Sequence, residues 1–340
     1  MSKVCFIICW FGKLPSYTPV WLKSCSYNPE YDFLLITDCE DDFTYPANVK
    51  RISFDKERFI ARVKERLTEK PSLEAPYRLC DYRPMYGVIF REELREYDYW
   101  GYCDVDMVFG KITDFLPIEE IYRYDAVFNA GHFTLIKNDS KMNSLYKCDG
   151  AIFDYKTVMK KDAIFAFDET TGFQRIARFN KVNCKFGLPY IESESKYTQL
   201  RSRMESTNPD HQAYYWEKGN LYRVKSEEGK VGYQRIVYIH LQKRKLEMLD
   251  ENVVDSDAFW ITPRGFCTKD FIGLPNAEQI DAHNPYEGIE ALQEQEQAYK
   301  KSKIKQIIRR SPFQIYVRLK QQRAGINAGD GVRGEMEWQS

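Results

Sequence analysis

Tyr99-Trp100-Gly101-Tyr102-Cys103-Asp104-Val105-Asp106-Met107-Val108-Phe109-Gly110 decides how the chain is read. The flanks are apolar and aromatic, as expected of a strand buried on both faces. Two carboxylates in such a run are costly to desolvate unless something positive compensates them. Alternation along a strand puts Asp104 and Asp106 on one side, two positions apart, where both can point at one object. A divalent cation held by carboxylates and substrate phosphates is the usual object. The plainer reading is a turn just past a strand end, with both side chains satisfied by backbone amides.

Working outward toward the N-terminus, the pattern alternates strand and helix. Val4 to Cys9 is a continuous apolar run, Tyr31 to Thr37 a second ending at Asp38, and Val49 to Ser53 a third. The loop Trp10-Phe11-Gly12-Lys13 follows the first. Thr18 then reads as an N-cap with Pro19 at the first helical position, opening a helix to about Cys25. Phe54 to Thr68 and Arg78 to Tyr97 have helical spacing, with Pro84 breaking the second. This order predicts an open α/β sheet with ligands at the carboxyl ends of its strands. Neither G-x-G-x-x-G nor G-x-x-x-x-G-K-[ST] occurs, which argues against a dinucleotide enzyme or a P-loop NTPase.

Toward the C-terminus, Ala126 to Ile136 predicts strand and loop, Lys141 to Tyr146 and Thr170 to Asn180 predict helices, and Arg235 to Leu241 a late strand. Three features could join the acidic pair. Arg78 and Arg83 flank Asp81 and suit charge-assisted contacts to phosphate, or else one of them pairs with Asp81. His240 ends an apolar strand and is a competent ligand for manganese, or a structural histidine. Asp168-Glu169 follows the aromatic run Phe165-Ala166-Phe167 and offers either a helix cap or a general base. Asn129-Ala130-Gly131-His132 adds a glycine and a histidine that could line an acceptor pocket.

The whole chain sets bounds. Fifty Lys and Arg balance fifty Asp and Glu, so no global charge calls for nucleic acid. The 15% aromatic share fits a packed core plus stacking surfaces for flat or ring-shaped ligands. Nine cysteines, none in a metal-type C-x-x-C pair, read as reduced thiols of a cytosolic protein. No signal peptide or membrane span is expected. Residues 298–323 carry nine Lys and Arg and no acid. Ile304, Ile307 and Ile308 form one apolar stripe among them, which fits either an interfacial helix on anionic lipid or a solvated helix docked on the domain or a second subunit.

Together, the strand ending at Asp38, the Arg78–Gly87 segment, Trp100-Gly101-Tyr102-Cys103-Asp104-Val105-Asp106, the later acidic pair and the strand-end His240 resemble the GT-A class of nucleotide-sugar-dependent glycosyltransferases. More closely, the pattern is similar to that of bacterial capsule, exopolysaccharide and O-antigen glycosyltransferases with W-G-Y-x-D-x-D. The resemblance implies a Rossmann-like α/β fold, with a mixed central sheet flanked by helices, over residues 1–285. Residues 1–110 would form the nucleotide-binding half and 111–285 the acceptor half, followed by a basic helical extension at 286–324 and a flexible tail at 325–340.

It further implies a UDP-sugar donor, a glycan or lipid-linked glycan acceptor, and Mn²⁺ or Mg²⁺ held by Asp104, Asp106 and His240, with Asp104 also facing the ribose or sugar. Trp10, Phe11, Gly12, Lys13 and Asp38 would hold the nucleobase, and Arg78 and Arg83 would lie near the diphosphate. Asp168, favoured over Glu169, would be the base of an inverting enzyme, whereas a retaining one needs neither. His132 would sit on the acceptor side. The expected site of action is the cytoplasm, at or near the inner face of the plasma membrane. Two other readings stand beside this one. Asp104-Val105-Asp106-Met107-Val108 also fits the nucleophile motif of haloacid-dehalogenase-type phosphotransferases, and a non-catalytic carbohydrate-binding protein could use the same fold.

Overall fold

The computed structural model describes residues 3–67, 70–242, 244–324 and 338–339. Sixteen strands are assigned among them: β1 (Val4–Trp10), β2 (Tyr31–Thr37), β3 (Val49–Ser53), β4 (Tyr99–Cys103), β5 (Met107–Phe109), β6 (Ala126–Phe128), β7 (Phe133–Lys137), β8 (Cys184–Phe186), β9 (Tyr190–Glu192), β10 (Gln212–Glu217), β11 (Asn220–Glu227), β12 (Lys230–Ile236), β13 (Tyr238–His240), β14 (Glu247–Met248), β15 (Ala258–Ile261) and β16 (Gly265–Thr268). They form a mixed α/β architecture. A seven-stranded sheet has the order β3-β2-β1-β4-β7-β6-β8, a six-stranded sheet the order β12-β11-β10-β15-β16-β14, and β5-β13-β9 a small third sheet.

The seven-stranded sheet positions the site. β2, β1 and β4 run parallel, with Trp10 opposite Thr37 and Ile7 opposite Tyr102. Their carboxyl ends therefore deliver Phe11, Asp38 and Asp104 to one edge. β7 is antiparallel to β4, pairing Phe133 with Cys103, and so returns His132 to that same edge. The central strands are buried on both faces, which is why their sequences are apolar without alternation. Phe6, Trp21 and Phe33 pack one face, and Tyr82, Tyr86 and Trp100 the other. Each fully buried large side chain contributes roughly 1.5–3 kcal/mol of transfer free energy. Gly101 is required between β4 and β7, since a Cβ there would collide with the Thr134 carbonyl.

Local expectations hold in outline and shift at the ends. The first helix spans Thr18–Ser26 with Tyr17, not Thr18, at the N-cap. The second spans Lys56–Arg66, started by Asp55, whose carboxylate accepts from Arg58 N at 2.7 Å; Thr68 lies outside the described residues. The predicted Arg78–Tyr97 helix is instead a chain of short turns, including Leu79–Tyr82 and Tyr86–Ile89, separated by a 3₁₀ turn at Arg83–Met85. Pro84 denies a backbone donor there and dismantles the helix. Helix Phe173–Phe179 starts three residues later than expected, with Gly172 at its N-cap. The late apolar run is divided between β12 and β13.

The six-stranded sheet had no alternating signature to announce it. In β10 the residues Gln212 to Trp216 are all buried, because Tyr214 and Trp216 face one core while Ala213 and Tyr215 face another. The extension forms two helices, Ile289–Ile308 and Pro312–Arg323, the second opened by a capping box between Ser311 and Gln314. Of the expected tail at 325–340, residues 325–337 and 340 lie outside the described residues, while Gln339 pairs with Tyr233 of β12. No helix among the described residues is long and apolar enough to cross a membrane. All nine cysteines are free thiols.

Candidate active site

β4 ends at Cys103 and β5 begins at Met107, so Asp104-Val105-Asp106 is the bend between them rather than part of a strand. The two carboxylates converge because this bend is held down, not because of strand alternation. Leu241 N donates to the Asp106 carbonyl at 2.8 Å, and His240 pairs with Met107 across the small sheet. This places His240 Nε2 3.3 Å from Asp106 Oδ1 and 3.6 Å from Asp104 Oδ2. One ligand atom from each of the three residues lies within 4.8 Å of the others. Two carboxylate oxygens and an imidazole nitrogen suit Mn²⁺ or Mg²⁺.

The sequence reading did not single out Glu192, which supports this group from behind. It lies opposite His240 in the parallel β9–β13 pairing, and its Oε2 is 3.0 Å from His240 Nδ1. Gln242 Nε2 donates to its other oxygen. Burial opposes ionisation of Glu192, but the charge and hydrogen bond of His240, with the Gln242 donor, outweigh it and hold the carboxyl down to about 2. Burial also opposes charge on His240, yet Glu192 and Asp106 raise its pKa well above the ordinary histidine value. His132 lies tilted against His240 with ring centroids 4.1 Å apart. Burial and the neighbouring His240 push it down to about 3, so it is neutral. Its Nε2 lies 3.3 Å from Glu192 Oε2, near enough for electrostatic contact, but it completes no hydrogen bond. His132, Glu192 and His240 thus make a second compact group of metal-ligand type, sharing His240 with the first.

On the other side of Asp104 lies Arg83. Its guanidinium bonds Asp104, sits 3.0 Å from Asp168 Oδ2, and donates to the Gly131 carbonyl at 2.8 Å. The 3₁₀ turn that breaks the expected helix is what aims Arg83 inward. Asp168 is 2% exposed, and it is not a helix cap. Burial pushes its carboxyl well above the usual range, with Arg83 offsetting only part. Glu169 is solvent-exposed. Its side chain nevertheless leans over Gly131 into the acidic group, and there its carboxyl is raised, first by desolvation and then by the charge of Glu192, with Arg83 and Arg203 opposing. A Cβ on Gly131 would collide with the Glu169 side chain, so glycine leaves that carboxylate its place. Asp104 is raised by burial and by Asp106 against the pull of Arg83. Five carboxylates here (Asp104, Asp106, Asp168, Glu169 and Glu192) face Arg83, Arg203 and His240, and His240 gives up its proton if it binds a metal. That excess of negative charge is what a bound divalent cation would relieve.

The remaining sequence candidates divide. Gly12 N donates to Asp38 Oδ1 at 2.6 Å, and Trp10 Nε1 donates to the Lys13 carbonyl at 3.0 Å, so this loop is tied to the end of β2 on the same sheet edge. Phe11 packs edge-on against Phe59. Arg78 is not part of the site. It is fully buried, paired with Asp81 and donating to the carbonyls of Val158 and Ala163. Asp81 in turn accepts from Phe167 N at 2.9 Å and Phe165 N at 3.2 Å, so Arg78 braces the segment leading to Asp168. Cys9, on the same edge, has its thiol pushed up to about 12 by burial, which leaves it unreactive.

No curated protein matches the chain. A match that runs from β1 through β16, over residues 6–270, shows that the chain belongs to a family of unknown function (DUF6625).

Proposed function

We propose that the protein is a metal-dependent glycosyltransferase of the GT-A type. It would move a hexosyl unit (galactose or galactofuranose, glucose, or an N-acetylhexosamine) from a UDP-sugar to a hydroxyl of a glycan or lipid-linked acceptor in bacterial surface-polysaccharide synthesis. The observation that carries this reading is the convergence of Asp104, Asp106 and His240 at the carboxyl edge of the parallel strands, opposite Arg83, Asp168 and Glu169. Asp104, Asp106 and His240 would hold Mn²⁺ or Mg²⁺, which when bound neutralises the diphosphate as it departs.

The protein's own groups do the rest. The loop Trp10–Lys13 and Asp38 lie where the nucleobase would sit. Arg83, already bonded to Asp104 and Asp168, holds both carboxylates in place instead of reaching out to phosphate. Glu169 is exposed and has a raised pKa, so it is the better-placed proton acceptor for the incoming hydroxyl. As the hydroxyl oxygen bonds the anomeric carbon, the bond to UDP breaks and the hydroxyl proton passes to Glu169. Asp168 is the partner of Arg83.

A panel of UDP-sugars, assayed for Mn²⁺-dependent UDP release, tests the proposal. Turnover of at least one donor that is lost in Asp106→Ala supports it. Absence of UDP binding with millimolar Mn²⁺ would overturn it.

A further inference from the structure

From residue 298 onward the C-terminal helices carry an excess of positive charge that the Lys300–Glu296 pair, 3.1 Å apart, answers only in part. Between residues 298 and 323 there are nine Lys and Arg and no Asp or Glu, in a chain that is neutral overall. Helix Ile289–Ile308 has no buried residue. Along its second half Ile304, Ile307 and Ile308 are all exposed, Ile308 by 76%, and Lys301, Lys303 and Lys305 alternate with this stripe. In the next helix Ile315, Tyr316 and Leu319 are exposed as well. Arg318 has its pKa lowered by burial and then by the charge of Arg310, so the cations crowd one another.

Only one side of this unit is fixed. Val317 is buried, Phe313 packs near Phe165 at 6.3 Å between ring centroids, and Tyr316 meets Phe153 at 6.2 Å. Gln321 Nε2 donates to the Phe165 carbonyl at 2.7 Å. Phe165 opens the segment that leads to Asp168 and Glu169. Helix Pro312–Arg323 is therefore fastened directly to the segment bearing the site's acidic pair.

We infer that the second half of helix Ile289–Ile308, together with helix Pro312–Arg323, docks on the surface of an anionic lipid bilayer and so holds the acidic-pair side of the cleft at that surface. A cationic patch needs an anionic partner, and exposed isoleucines among the lysines need an apolar layer just beneath the charge. A lipid headgroup region over acyl chains offers both. A nucleic-acid backbone offers only the first, and a second copy of this neutral chain would have to supply both from its own surface. The inference does not depend on sugar transfer, since lipid affinity is read without substrate.

The test is flotation of the full chain with vesicles of phosphatidylcholine alone and of phosphatidylcholine with phosphatidylglycerol. Binding is expected only to the anionic vesicles, and it should weaken as salt rises. Removing three charges (Lys305→Gln, Arg309→Gln, Arg310→Gln) should weaken it on the order of 10²-fold, at about 1 kcal/mol per cation. Ile304→Ser, Ile307→Ser and Ile308→Ser together should release the protein while leaving heparin binding unchanged. Four of the six positions lie on a helix with no buried residue, and Arg309 and Arg310 follow its end without being buried, so the fold survives these changes. Equal binding to both vesicle types overturns the inference. So does anionic-vesicle binding that ignores the isoleucines, which would mark a general polyanion site, or a dimer in light scattering with no vesicle binding, which would assign the surface to a second copy.

Discussion

The sheet edge around Asp104 and the C-terminal helices both concentrate charge, but they treat it in opposite ways. At the edge, carboxylates and cations are largely buried and nearly every one has a named partner, as with His240 between Glu192 and Asp106. On the helices, nine cations stand mostly in solvent with no acid in the segment. Burying a charge without a partner costs several kcal/mol, so the edge can exist only as a fixed arrangement. Exposed charges cost little and fix no geometry. The difference teaches that the edge fixes its groups at defined atoms, as the proposed chemistry would need, whereas the helices leave theirs free, as the proposed surface docking would need.

The largest effect should come from the edge. Asp106→Ala is expected to lower metal-dependent UDP release by about 10³-fold, the several kcal/mol that a bound cation contributes; unchanged turnover would remove Asp106 from the site. Arg78→Met should cost about 3–5 kcal/mol of stability by stranding the Asp81 carboxylate, measured by denaturant unfolding, and Arg78→Met with Asp81→Asn should recover much of it. If Arg78→Met instead weakens UDP binding with no change in unfolding midpoint, the phosphate-contact reading of that arginine was right.

Glu169 gives a pH test. Desolvation and the charge of Glu192 raise its pKa, and a base must be ionised to act. Activity should therefore be present above that raised value and fall as pH drops through it, placing the acid limb above the ordinary glutamate value of about 4.3. Glu169→Gln should remove that limb and about 10²–10⁴-fold of rate. A profile that keeps its limb in Glu169→Gln would return the role to Asp168, and a rate unchanged in both Glu169→Gln and Asp168→Asn would indicate a retaining course. Glu192→Gln should weaken Mn²⁺ binding by calorimetry about 10–100-fold, because it fixes the orientation of His240 from behind. The smallest effect belongs to the helices: the three-charge variant should shift stability by no more than about 0.5 kcal/mol, so any larger loss would mean that those cations are structural.

Periodicity and composition were enough to expect β1, β2 and β3, an N-terminal parallel α/β half, the acidic end of β4 and the two basic helices. All of these depend on local patterns: apolar runs, prolines at helix starts and like-charge runs. The same local reading put Arg78 after Arg83 near the diphosphate and left open that one of them pairs with Asp81, because two arginines five residues apart look alike until the fold turns Arg78 into the core pair with Asp81 and Arg83 toward the edge. It did not single out Glu192, the first of two glutamates after Tyr190-Ile191, which gains meaning only from lying opposite His240 across a parallel pairing 48 residues away. It gave no signature for the six-stranded sheet, whose β10 is buried on both faces and so has no alternation. Sequence by itself determined which residue types and which strands were available, since these follow from side-chain chemistry and short-range spacing. Only tertiary structure decided which carboxylate meets which cation, since burial penalties are set by neighbours that the chain brings together from far apart.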